Sequence, residues 1–206
     1  MPLVPELNVT DRTCVVGDIT IHYVEAGRGP LIVLLHGFPE YWYSWRNQIP
    51  ALAAAGFHVV AADLRGYNES SKPRGIESYR LPELTKDIAG LITQIGEGPA
   101  IVAGHDWGGA VAWFTSMLHP ELVKRLIILN SPHPVAYLRE MRHSARQKWR
   151  AKYQLLFHPP WLAEFVLRRF RYAALRRALA KHGCFTPEEI ERYVEAWSNP
   201  VSSDQT

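Results

Sequence analysis

The chain has 206 residues, 47% hydrophobic and 21% charged, with a formal net charge of +3. That length holds one well-buried domain plus a small insertion, and the apolar share excludes a disordered chain. Two cysteines, Cys14 and Cys184, build no disulfide framework, and no apolar run nears the ~18 residues of a membrane span, so a soluble protein of the cytoplasm is expected.

The N-terminus, Met1-Pro2-Leu3-Val4-Pro5-Glu6, has no basic segment and no apolar core of the secretory kind. Cys14–Val16 and Ile19–Val24 flank a Gly17-Asp18 turn and predict a hairpin. Leu31-Ile32-Val33-Leu34-Leu35 is continuously apolar, as in a strand covered on both faces. It runs into the loop His36-Gly37-Phe38-Pro39-Glu40. A helix is predicted from Tyr43 to Ala55, closed by Gly56, then a strand over Phe57–Ala62 that turns out through Asp63-Leu64-Arg65-Gly66-Tyr67. Leu81–Ile95 is amphipathic and helical, 99–103 a strand, the stretch to Leu118 a helix, and Arg125–Leu129 another strand. Strand and helix alternate from 31 to 130, which predicts an α/β fold with a mostly parallel, doubly wound sheet.

After Asn130 the alternation stops. Residues 131–198 are rich in arginine, alanine, leucine and aromatics, and read as a helical lid on a core formed by residues 1–130. Its last helix is punctuated by Thr186 as N-cap, Pro187 as first helical residue and Glu189 completing a capping box. Ile190, Tyr193, Val194 and Trp197 then make one apolar stripe. Residues 199–206 have little to bury and are expected to form a disordered tail. Between Arg139 and Lys181 there are twelve lysines and arginines against two glutamates. We read them as solvated helix faces, not as a nucleic-acid or membrane surface.

The most informative residues are Gly104-His105-Asp106-Trp107-Gly108-Gly109, between an apolar strand and an apolar helix. Small residues two positions either side of a central nucleophile permit a sharp strand-to-helix turn where a side chain would strike neighbouring backbone. The usual occupant is serine, and here it is Asp106. A carboxylate displaces a leaving group from saturated carbon and forms an ester that water must then cleave.

His36-Gly37-Phe38-Pro39-Glu40, Asp63-Leu64-Arg65-Gly66-Tyr67-Asn68 and the Gly104–Gly109 segment, in that order, resemble the α/β-hydrolase-fold epoxide hydrolases. The resemblance implies an α/β-hydrolase fold with a helical lid insertion. It makes Asp106 the nucleophile, and the backbone N–H groups of Phe38 and Trp107 an oxyanion hole. It also implies that the lid residue Tyr153 donates the proton to the opened epoxide oxygen, and that Phe38, Trp107, Tyr153 and Gln154 line an apolar pocket. The expected partners are a small apolar epoxide and water, with no cofactor. No pair of residues has metal-ligand spacing of the His-Glu-x-x-His kind, and no metal is expected.

In this fold the chain order is nucleophile, acid, histidine. His36 and His105 are structural in the family, and His133, after the last strand, is the remaining histidine near the expected pocket. Asn130 stands where some dehalogenases carry their acid. The acid, the histidine base and a second lid tyrosine are therefore expected in a C-terminal part beyond Thr206, with the last strands of the sheet. Residues 125–129 would then be an apolar edge suited to self-association. Two other readings remain open. One is a haloalkane dehalogenase, which shares the Asp-Trp pair, although Phe38 and Tyr153 argue against it; in fluoroacetate dehalogenases an arginine typically stands where this chain has Trp107. The other is a non-catalytic, ligand-binding fragment.

Overall fold

A computed structural model describes residues 8–144, 146, 147, 149, 171–181 and 184–199. These divide between Ser131 and Pro132 into two compact units, with Asn199 belonging to the first.

The first unit is one mixed sheet with helices on both faces. Strands β1 (Thr10–Val16) and β2 (Ile19–Ala26) form the expected hairpin. Strands β3 (Leu31–Leu35), β4 (His58–Ala62), β5 (Ala100–His105) and β6 (Val123–Leu129) complete the order β1-β2-β4-β3-β5-β6. The four strands from β4 to β6 are parallel, while β2 meets β4 antiparallel. Periodicity identifies strands but not neighbours, so the β2–β4 pairing was not legible in it.

The unbroken Leu31–Leu35 run is explained by burial on both faces. Leu31, Val33 and Leu35 pack with helix α2 (Leu81–Ile95) and helix α3 (Asp106–Leu118), through Ile88, Leu91, Val111 and Ala112. Ile32 and Leu34 pack on the other face with Trp45 and Ile49, the latter from helix α1 (Gln48–Ala54). The helix expected over 43–55 is divided. Trp42–Trp45 is a 3-10 turn, and α1 begins at Gln48. Pro50 lacks an N–H and would clash with the carbonyl four residues back, so it tolerates only the first turn of a helix. Strand β5 runs on through Gly104 and His105, which pair with Ile128 and Leu129 of β6, and β6 starts two residues before its sequence-based limit. Ile127 and Leu129 of β6 are 45% and 41% exposed.

In the second unit, helix α4 spans Pro134–His143, residues 171–180 are helical, and a last helix covers Pro187–Ser198. Its capping box forms as read: Glu189 N–H donates to Thr186 Oγ1 at 3.2 Å, and Thr186 N–H donates to Glu189 Oε2 at 2.8 Å. Ile190, Tyr193 and Val194 are buried, and Tyr193 meets the rings of Phe185 and Trp197. Tyr153 and Gln154 lie outside the described residues, as does the expected tail beyond Asn199. Among the described residues no helix is long and apolar enough to cross a membrane, and no cluster of three metal-ligating side chains occurs.

Candidate active site

The Cα pairing of β3 with β5 brings Leu35 opposite Gly104. The two loops leaving the carboxyl ends of these parallel strands therefore meet, and each carries part of the site. Such carboxyl ends are where ligands bind in open α/β sheets.

Asp106 sits at the β5–α3 turn with φ of 50°, a left-handed conformation that a branched or bulky residue avoids. Two glycines make the turn possible. A Cβ on Gly104 would lie 2.4 Å from the Gly108 carbonyl oxygen. A Cβ on Gly108 would lie 2.4 Å from the carbonyl oxygens of both Leu35 and His36. All of these obstacles are backbone, which no rotamer change relieves. Gly108→Ala should therefore push α3 off β3, at a cost of about 1–3 kcal/mol or more. Urea denaturation would measure the loss, and an unchanged midpoint would contradict the packing described.

The His36–Glu40 loop presses on Asp106 from the other side. Phe38 N–H donates to Asp106 Oδ1 at 3.2 Å. Gly37 has no room for a side chain, since a Cβ there would fall 2.7 Å from Asp106 Cβ. Phe38 and Trp107, the residues flanking the carboxylate, are 44% and 40% exposed, so both offer apolar surface there. Trp107 N–H lies in the first turn of α3, where backbone donors have no intrahelical acceptor.

The histidines that flank Asp106 are held by other groups. His36 is fully buried. Its Nε2 accepts from Leu64 N–H at 3.0 Å, and its Nδ1 donates to the Gly37 carbonyl at 2.9 Å. Burial pushes its pKa below the ordinary imidazole value, which suits this neutral tautomer. His105 Nδ1 meets Glu40 Oε2 at 3.3 Å, and its Nε2 lies 3.4 Å from Asn130 Nδ2. The Glu40 hydrogen bond raises its pKa, with Asp106 adding to the effect. His133, in the second unit, accepts from Val135 N–H at 3.2 Å and caps α4.

Two neighbours of the site were quoted in the sequence motifs without a role. The Tyr67 ring packs edge-on against His36 at 4.8 Å. Burial, with Asp106 and Tyr79 close by, pushes its phenol well above the ordinary value and keeps it protonated. Glu40, the last residue of its motif, orients His105.

A family model for the alpha/beta hydrolase fold matches residues 30–205. AB hydrolase superfamily protein YfhM of Bacillus subtilis (strain 168) is 48% identical over 187 residues, covering 88% of this chain and 65% of its own length. Human epoxide hydrolase 4 is 38% identical over 192 residues, covering 88% of this chain and 53% of its own. The chain thus spans about half to two thirds of these curated relatives. The crystal structure of Bacillus megaterium epoxide hydrolase in complex with an inhibitor superposes with a TM-score of 0.86 at 33% identity, over 93% of this chain and 68% of that one.

Proposed function

The chain belongs to the α/β-hydrolase fold family, in its epoxide-hydrolase-like part, and from that premise we propose that it opens small apolar epoxides through an ester on Asp106. The observation that carries the reading is the 3.2 Å hydrogen bond from Phe38 N–H to Asp106 Oδ1. It engages one carboxylate oxygen and leaves Oδ2 as the attacking atom. Oδ2 bonds to an epoxide carbon, the carbon–oxygen bond of the ring breaks, and the alkoxide takes a proton from an acid. Tyr153 is our candidate for that acid, since a phenol remains protonated at neutral pH.

Oδ1 then becomes the ester carbonyl oxygen. When water attacks Cγ, the negative charge develops on Oδ1, where the N–H groups of Phe38 and Trp107 can stabilise it. Collapse returns the carboxylate and releases a diol. Phe38, Trp107, Tyr153 and Gln154 would line the pocket, and the exposed rings of the first two favour an uncharged substrate. No cofactor enters this scheme. The core at 1–130 would carry the nucleophile, and the lid at 131–198 the proton donor.

The test is made on this chain extended at its C-terminus to the full length of a relative, with styrene oxide as probe. Diol should form, and Asp106→Asn should abolish it while the circular-dichroism spectrum stays unchanged. Halide release from haloalkanes without epoxide opening would select the dehalogenase reading instead. Binding of both substrate types with neither reaction would select a ligand-binding protein.

A further inference from the structure

Asp63 is fully buried, and its carboxylate accepts three hydrogen bonds. Trp42 N–H reaches Oδ1 at 2.9 Å, while His22 Nδ1 and Asn68 Nδ2 each reach Oδ2 at 2.7 Å. A buried carboxylate without a counter-charge is costly. His22, itself 2% exposed, is the group placed to supply one. Its two ring nitrogens both face carboxylates: Nδ1 faces Asp63, and Nε2 faces Asp11 Oδ1 at 3.3 Å and Glu69 Oε2 at 3.9 Å. A neutral imidazole has one N–H and one lone pair, and the lone pair would be turned on an anion. The geometry therefore selects the imidazolium. Lys72, whose ammonium meets the Asn68 carbonyl, is another cation facing this group.

Residues 63 and 64 together hold both ends of the stretch that carries the Phe38 amide. Asp63 takes Trp42 N–H at one end. Leu64 N–H holds His36, which in turn holds the Gly37 carbonyl, at the other. His22 also ties the same turn through its backbone: its N–H donates to Ser70 Oγ, and its carbonyl accepts from Asp63 N–H, both at 2.9 Å.

We propose that His22 is a positioning residue for the oxyanion loop: as an imidazolium bridging β1, β2 and the turn after β4, it fixes the Asp63 carboxylate and through it the Phe38 amide beside Asp106. The loop's catalytic role rests on the reaction proposed above, but its coupling to His22 does not. The Asp63 hydrogen bond and the nearby carboxylates raise the His22 pKa above 6.5, outweighing a desolvation effect that acts the other way. The sign follows. Stabilisation from His22 is complete below its unfolded pKa and is lost as pH rises through the higher folded one.

Proton and nitrogen resonances of the whole 206-residue chain test this without any substrate. The His22 ring should titrate above 6.5, and the backbone amides of Trp42 and Phe38 should shift with the same midpoint. Asp11→Asn, at a side chain 76% exposed, spares the core and should lower that midpoint for the ring and both amides together. His105 also titrates near Phe38, but Asp11→Asn leaves its partner Glu40 in place, so only the His22 component should move. His22→Gln, which can still donate to Asp63 without charge, should remove the His22 component from both amides and leave the Phe38 amide only the His105 one. Amides that stay still through the His22 titration, or that ignore the Asp11→Asn shift, would overturn the proposal. So would a His22 midpoint below 6.5.

Discussion

Incubated with styrene oxide, the purified 206-residue chain should gain the mass of one epoxide on Asp106 and then hold it. Attack needs the carboxylate, which the β5–α3 turn presents, whereas hydrolysis of the ester also needs a base to take a proton from water. Among the described residues the histidines near Asp106 are engaged elsewhere. His36 uses one nitrogen as acceptor and the other as donor within its own loop, and His105 is held between Glu40 and Asn130. General-base assistance is commonly worth about 10²–10⁴ in rate, and more where base and acid act as a unit. Without such a base hydrolysis should be slowed by about that factor, so that the ester accumulates. Intact-mass spectrometry over time reads the adduct directly, and peptide mapping places it. Sustained diol release by this polypeptide would mean that it supplies its own base, and His133→Ala would be the first variant to examine.

The second large effect concerns stability. Arg65 and Asp87, with side chains 8% and 3% exposed, form a bidentate pair: Nε to Oδ2 at 2.8 Å and Nη2 to Oδ1 at 2.6 Å. A third donor, Nη1, reaches the Ser78 carbonyl at 2.8 Å. The pair ties the turn after β4 to α2. Arg65→Met would leave the Asp87 carboxylate buried against apolar side chains, and breaking such a pair costs about 3–5 kcal/mol. At about 2–4 °C per kcal/mol for a chain of this length, Tm should fall by roughly 6–20 °C. The double variant Arg65→Met, Asp87→Leu should recover much of the loss, because no charge is then stranded. Calorimetry on the three proteins decides. A single variant that melts with the parent would show that the pair contributes nothing net.

Much of this architecture could be read from the residues in order. Leu31–Leu35 announced a strand buried on both sides, and the glycines around Asp106 announced a turn that only close backbone contact explains. These signals are local, so they survive in a linear reading. What escaped it was pairing between segments far apart in the chain. Nothing near His22 says that its imidazole meets Asp63, 41 residues away. Nothing near Arg65 says that it meets Asp87 across a turn and a 3-10 segment. The antiparallel meeting of β2 with β4 is of the same kind. Pro50 was visible and should have cut the helix predicted over 43–55, since its missing N–H is a local fact.

The strand order has a consequence for the chain as it leaves the ribosome. Strand β3 is central, yet both of its neighbours, β4 and β5, are synthesised after it. Until they emerge, Leu31–Leu35 offers two unpaired apolar edges, the kind of template on which nascent chains associate wrongly. The Phe38–Asp106 contact closes a loop of 68 residues, so it is among the costlier contacts to form in chain entropy. A nascent chain stalled before residue 100 would thus carry the His36–Glu40 loop with nothing to face. The Phe38–Asp106 contact therefore waits on β5 and the turn that follows it.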